Sequence, residues 1–178
     1  MNLKKCKIIS IFGIFLISFF SHFCYEWFPC TITAIFFPVN ESIFEHMKII
    51  LTSTLLYSII EIILLKGFKI EYHNYLLSLF VMGFGGIVFY LLIFVPIYLL
   101  IGENMIISIG LLFITYLLGQ IVCYFILNYK QIKYLDIISI IGIVVMFILF
   151  GYFTYNPLFN FLFQDPTNNQ YGINTYEI

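Results

Sequence analysis

Charge is scarce in this sequence, and arginine is missing from it altogether. The 178 residues include eight lysines and nine acidic residues, so that only 10% of the chain is charged, whereas 62% is hydrophobic. A soluble domain usually carries about 25% charged residues and about 45–50% apolar ones. A soluble domain of this size would therefore lack polar residues for its surface. With a net charge of −1 and no basic stripe, the chain also lacks the surface that binds nucleic acid.

Cysteine is sparse too, and its spacing excludes the usual cysteine metal sites. The four cysteines form no CxxC pair. Cys24 and Cys30 lie near one predicted membrane face, where they either form a disulfide or stay unpaired as small apolar residues.

Five long apolar stretches predict the fold. A helix needs about 20 apolar residues, each rising 1.5 Å, to cross roughly 30 Å of hydrocarbon. The stretches that meet this requirement are 8–27, 43–65, 75–101, 105–127 and 137–155. The first follows three lysines but no signal-peptide cleavage site, so we interpret it as an uncleaved transmembrane helix. The sequence thus predicts an all-α protein with one five-helix membrane domain over 1–155, whose third helix tilts or kinks at Pro96.

The placement of lysine predicts how the helices are oriented. Seven of the eight lysines fall before the first helix or in the loops after the second and fourth helices: Lys4, Lys5, Lys7, Lys66, Lys69, Lys130 and Lys133. By the positive-inside rule, the N-terminus is cytoplasmic and the C-terminus lies outside, as in a multi-pass protein of the cell membrane. Glu61, at the inner end of the second helix, is expected to snorkel or to pair with Lys66.

Two outer segments are too apolar to extend freely into water. The loop 28–42 is aromatic and is expected to lie in the membrane interface. The tail 156–178 is rich in phenylalanine before a turn-forming stretch at 165–169. The tail either lies on the lipid headgroups or folds over the helix ends as a lid.

Several ionisable residues are predicted to lie at one depth, near the outer surface. His22 lies roughly 21 Å and Glu26 roughly 27 Å along the first helix, and they share a face at i, i+4. The second helix enters from outside, so that Glu45, His46 and Lys48 lie within roughly 8 Å of the same surface. Ionisable residues in membrane helices usually mark functional sites. Together with Glu41, these residues could line one pocket.

Helix capping is an alternative explanation for part of this cluster. Ser42 and Glu45 have the spacing of a capping box, and Asn40 is a second candidate for the N-cap. The negative charge of Glu41 would then be stabilised by the positive N-terminal end of the helix dipole. Capping does not account for His22, Glu26, His46 or Lys48.

Three motifs resemble those of a family of small, polytopic bacterial membrane proteins of unknown function. Segment 22–27 reads His-Phe-Cys-Tyr-Glu-Trp, and segment 38–48 reads Pro-Val-Asn-Glu-Ser-Ile-Phe-Glu-His-Met-Lys. The tail adds Pro157, then Asp165-Pro166 and Tyr171-Gly172. The resemblance spans nearly the whole chain and implies a membrane location, but it implies no activity.

Three functions remain open at this point. In a membrane-embedded metal hydrolase, His22, Glu26 and His46 would bind Zn²⁺, Glu45 or Glu41 would act as the base, and Lys48 would bind an anionic headgroup or oxyanion. The alternatives are a small transporter or channel subunit, and an assembly or accessory protein whose aromatic tail docks a membrane-protein partner. Membrane lipid is the expected partner in each case, and the chain could also form a homo-oligomer.

Overall fold

In the part of the chain that the structure describes, six helices form, and five of them are long and apolar enough to cross a membrane. The computed structural model describes residues 1–173. The helices are α1 (Leu3–Trp27), α2 (Thr31–Phe36), α3 (Ile43–Gly67), α4 (Tyr75–Ile101), α5 (Met105–Asn128) and α6 (Lys133–Tyr155). All except the short α2 are candidate spans. The prediction of an all-α, five-helix membrane protein is confirmed, and the chain is a multi-pass membrane protein.

Helix α3 is the central helix of the bundle. Of the residues in its most apolar stretch, 61% are buried, against 33% or fewer in each of the other four long helices. The outer helices instead expose large apolar side chains such as Leu16, Leu92 and Ile148. Helices that are apolar on their outward faces fit a surrounding of lipid hydrocarbon.

Local sequence signals explain where the helices begin. The side chain of Asn2 accepts a hydrogen bond from the backbone of Lys5 and caps α1. The side chain of Ser42 caps α3 by accepting from the backbone of Glu45 at 3.3 Å. Such caps satisfy backbone N–H groups that have no partner within the helix.

The irregular turn of α4 is not at Pro96. The helix continues through Pro96, whereas Val81–Gly85 forms a π-helical turn. Within that turn, a Cβ atom on Gly83 would collide with the side chain of Leu51 on α3. Glycine therefore permits the close approach of α4 to the central helix.

An ion pair joins α1 and α3 at the end of the bundle that is predicted to be cytoplasmic. Lys7 Nζ lies 2.8 Å from Glu61 Oε1, and Ser10 Oγ donates to the same oxygen at 2.6 Å. Both charged side chains are buried. Glu61 therefore pairs with Lys7 and does not pair with Lys66, because the packing of α1 on α3 brings together residues that are distant in sequence.

A second buried ion pair lies near the other end of α3. Lys48 Nζ donates to Glu45 Oε2 at 2.6 Å, to the carbonyl oxygen of Ala34 at 2.7 Å and to Thr154 Oγ1 at 2.6 Å. Glu45 Oε2 also accepts from the backbone N–H of Val39 at 3.0 Å. We call these five residues the Lys48 network. It connects α3 to α2, to the segment after α2 and to α6.

The tail folds back over the start of α3. The backbone N–H of Phe44 donates to the carbonyl oxygen of Leu162 at 2.8 Å, and the rings of Phe44 and Phe163 stack with their centroids 4.4 Å apart. The side-chain amide of Asn40 donates to the carbonyl oxygen of Gly172 at 3.0 Å. Residues 174–178 of the predicted tail lie outside the described residues.

Buried Asp165 holds the turn of this tail. Its Oδ1 accepts from the backbone and the hydroxyl of Thr167, and its Oδ2 accepts from Asn168 Nδ2 at 3.2 Å and from the backbone N–H of Glu41 at 3.4 Å. Within residues 1–173, the only β-type pairing is a single bridge between Gln164 and Tyr171. The turn thus contacts the same segment that carries the Ser42 cap.

We predict that Lys48→Met destabilises the protein strongly, because it leaves the buried Glu45 carboxylate without a countercharge. Breaking one side of a buried ion pair usually costs about 3–5 kcal/mol. Lys66→Met is the matched control, since Lys66 is exposed in the last turn of the same helix, where a charge contributes less than about 1 kcal/mol. The measurement is the free energy of unfolding in detergent. Equal losses in the two variants would contradict the role of the Lys48 network.

Candidate functional site

Two histidines and one glutamate meet where α1 ends and α3 begins. His22 lies in α1, one turn before its C-terminal end, and His46 lies in the first turn of α3. Glu41 precedes the Ser42 cap. We call these three residues the triad. Each is partly buried, with side-chain exposures of 25% for His22, 27% for His46 and 40% for Glu41.

Glu41 presents one carboxylate oxygen to each histidine. His22 Nε2 lies 3.6 Å from Glu41 Oε1, and His46 Nε2 lies 3.4 Å from Glu41 Oε2. The two imidazole ring centroids are 5.3 Å apart. Within the described residues, one ligand atom from each member of the triad lies within 4.8 Å of the other two.

This spacing is close to that of ligand atoms around a small metal ion. In a tetrahedral zinc site with bonds of about 2.1 Å, neighbouring ligand atoms are about 3.4 Å apart. The separations of 3.6 Å and 3.4 Å, each to a different oxygen of Glu41, differ little from that value. Two histidines and one glutamate also form one of the three-ligand sets that catalytic zinc sites use.

The hydrogen bond of His46 fixes which of its nitrogens can bind a metal. Its Nδ1 lies 2.9 Å from the carbonyl oxygen of Ser42, which can only accept. We therefore assign the proton to Nδ1, and in the neutral ring Nε2 then directs its lone pair at the Glu41 carboxylate. Two acceptors that face each other need a cation or a proton between them. Metal-binding histidines usually donate their second N–H to such a carbonyl or carboxylate oxygen.

The Glu41 carboxyl is in its ionised form, which is the form that binds cations. When the histidines are protonated, the hydrogen bond from His46 lowers the pKa of the Glu41 carboxyl below its usual value, against the opposing effect of burial, and the charges of both histidines lower it further. The carboxyl group is therefore ionised at neutral pH.

An apolar cavity opens beside the triad. It has a volume of about 230 Å³ and lies between α1, α3, α4 and α5. Its wall is mainly aromatic and aliphatic, and includes Phe19, Ile50, Tyr90, Phe94, Ile109 and Leu112. Besides the triad, the polar residues in its lining are Ser18, Glu103, Ser108 and the two tyrosines, Tyr90 and Tyr98. We call it the apolar cavity.

A second cavity lies on the other side of His22 and Glu41. It also measures about 230 Å³, and its lining includes Glu26, Asn40 and Tyr25. His22, Phe23 and Glu41 line both cavities. We call the second one the polar cavity. His22 and Glu41 of the triad thus lie at the boundary between the two cavities.

The structure brings together only some of the residues that the sequence singled out. His22 and His46 lie together as expected of ligands, but the carboxylate between them belongs to Glu41, which was considered as a base. Glu26, the expected third ligand, lines the polar cavity and is not part of the triad.

The other expected catalytic residues lie elsewhere or have structural partners. Glu45 and Lys48 are paired within the buried Lys48 network and line neither cavity. Ser42 caps α3, whereas Asn40 does not: its Oδ1 accepts from the backbone N–H of Ser42 at 2.9 Å.

Glu103 was not expected from the sequence to line the apolar cavity. It lies in the turn between α4 and α5 and lines the apolar cavity together with Glu41 and His46. Its position in the sequence could have identified it. It is the acidic residue of a short turn on the side predicted to be outside, where the triad also lies. Cys24 and Cys30, whose pairing was open, are both free thiols.

A comparison with protein families finds a match over most of the chain. A model described as a family of unknown function, DUF6512, matches residues 1–173. This match confirms the resemblance to a family of unknown function over nearly the whole chain. No curated protein and no solved structure matches the chain.

Proposed function

The chain belongs to the DUF6512 family of unknown function, and we propose that it is a metal-dependent hydrolase embedded in the cell membrane of a bacterium. The observation that supports this function is the convergence of His22, Glu41 and His46 on one point at the edge of a cavity. We propose zinc as the metal, because the donor set and its spacing suit Zn²⁺.

The proposed chemistry divides into metal binding and proton transfer. A zinc ion held by three protein ligands keeps one position for water and lowers the pKa of that water to about 7. The triad supplies the ligands. Glu103 is then the second carboxylate that lines the apolar cavity, among the described residues. We assign it the transfer of a proton between water and leaving group.

This assignment differs from the one expected from sequence in two respects. Glu41 replaces Glu26 as the third ligand, because its oxygens lie within 4 Å of both histidines. Glu45 and Lys48 are not given catalytic roles, because their buried ion pair occupies both charged groups.

We predict that the purified protein binds about one zinc ion per chain with a site formed by the triad. His22→Ala, His46→Ala and Glu41→Gln should each weaken binding by more than tenfold, or about 1.4 kcal/mol. Glu26→Gln is the matched control, because it removes a neighbouring carboxylate that lies outside the triad. Metal analysis after dialysis and titration calorimetry in detergent give the stoichiometry and the affinity.

The Glu26 and Glu41 variants decide between two ligand sets. Loss of zinc in Glu26→Gln with normal binding in Glu41→Gln would reject the proposed set in favour of the one expected from sequence. Equal zinc content in the wild type and in all four variants would reject the metal site altogether. If zinc binds, hydrolysis of chromogenic esters that stops on chelation and returns with zinc tests the activity.

Polar groups buried between the helices support a second candidate, an ion-coupled transporter. Ser53 Oγ donates to Ser21 Oγ at 2.9 Å between α3 and α1. Within the described residues, the side-chain oxygens of Tyr57, Tyr116 and Gln120 are buried without a hydrogen-bond partner. Such groups are usually satisfied by buried water. A gradient-driven flux in proteoliposomes that persists without zinc would favour this function.

We also propose that the triad faces the outside of the cell, as the lysine pattern predicts. Among the four cysteines, all within the described residues, only Cys30 is exposed, and it lies between α1 and α2. Hydrogen bonding with Thr33 lowers the pKa of the Cys30 thiol and so favours the reactive thiolate.

A membrane-impermeant maleimide should therefore label intact cells that express the chain, and Cys30→Ser should abolish the labelling. Mass spectrometry of the purified protein measures the modified fraction. Labelling of Cys30 only after the cells are lysed would show the opposite orientation.

A further inference from the structure

The two cavities that meet at the triad differ in chemistry. On one side of His22 and Glu41, the polar cavity is lined by Glu26 and Asn40. On the other side, the apolar cavity extends between the helices along Phe94 and Leu112. A ligand bound to the triad would therefore have polar surroundings at one end and apolar surroundings at the other.

The apolar cavity is large enough to bind part of a ligand. An engineered apolar cavity of about 150 Å³ stays dry and accepts benzene, whereas this one measures about 230 Å³. A small polar substrate would fill none of it. A hydrocarbon chain would fill it and would match its aromatic and aliphatic lining.

The mouth of the apolar cavity lies at the surface of the bundle. Met105, the first residue of α5, lines the cavity and is 73% exposed. Glu103, also in the lining, is exposed in the preceding turn. The mouth is thus near the end of two membrane helices, at the depth where the headgroups of membrane amphiphiles lie.

We propose that the site binds an amphiphile with a hydrocarbon chain and an oxygen-rich headgroup. The chain occupies the apolar cavity, the junction of chain and headgroup lies at the triad, and the rest of the headgroup extends toward Glu26 in the polar cavity. This inference rests on the proposed function and gives it a substrate class, the lipid-like amphiphiles.

The test uses a long-chain fatty acid that carries a photoreactive diazirine at the end of its chain, with the zinc-loaded protein in lipid nanodiscs. After irradiation, mass spectrometry should find the label on residues of the apolar cavity such as Tyr90, Phe94 and Leu112. Ile109→Trp places an indole in the cavity and should reduce this labelling about tenfold, equivalent to 1.4 kcal/mol. The matched control is Ile106→Trp, one turn away on α5, because Ile106 is 83% exposed and does not line the cavity.

A competition experiment on the unmodified chain does not depend on any variant. Dodecanoate should displace the probe, whereas acetate, which has the same carboxylate without the chain, should not. The inference would be overturned if acetate displaced the probe as well as dodecanoate does at the same concentration. It would also be overturned if the labels were spread evenly over outward-facing residues such as Ile148.

The zinc content of the same samples separates this inference from the proposed function. Zinc-loaded protein without labels in the cavity rejects the amphiphile and keeps the metal site. Labels in the cavity of a protein that binds no zinc support the amphiphile site and reject the hydrolase.

Discussion

A lysine ammonium buried in a membrane helix needs a countercharge, and the way in which Lys48 obtains one determines much of this structure. Lys48 is fully buried near the start of α3, and a buried charge is costly unless it is paired. Lys48 offsets that cost with one carboxylate, one hydroxyl and one carbonyl oxygen, which come from α3, α6 and α2. The ion pair therefore fixes the positions of α2 and α6 against the first turns of α3. Ala34 and Thr154, which accept from the ammonium, are themselves buried.

The ion pair and the triad use adjacent residues of α3, Glu45 and His46. Adjacent residues of a helix point about 100° apart, so that Glu45 and His46 cannot face the same neighbour. Glu45 faces α6, where Thr154 donates to its Oε1 at 2.8 Å, and His46 faces His22 of α1. The backbone of Glu41 is held by the turn at Asp165. A structural charge pair on one side of α3 thus leaves the other side for the triad and its two cavities.

The features that depend on local sequence could be predicted, and those that depend on distant contacts could not. Apolar length predicts the five long helices, and the spacing of Ser42 and Glu45 predicts the cap of α3. The predicted depths of His22 and His46 in the membrane are enough to place the two residues close together, as they are in the structure. Depth cannot choose between Glu26 and Glu41, however, because both lie near the same surface. The choice depends on how α2 folds the segment 28–42 back toward α3. The pairing of Glu61 with Lys7 is likewise set by packing between helices that are distant in sequence.

X-ray absorption at the zinc edge tests most directly whether the two histidines and Glu41 form one metal site. For the wild-type protein with one bound zinc ion, the account predicts two imidazole nitrogens and carboxylate or water oxygens at about 2.0–2.2 Å. Glu41→Gln should change the oxygen part of the spectrum and leave the imidazole part. A spectrum with sulfur ligands at about 2.3 Å, or without imidazole ligands, would contradict the account.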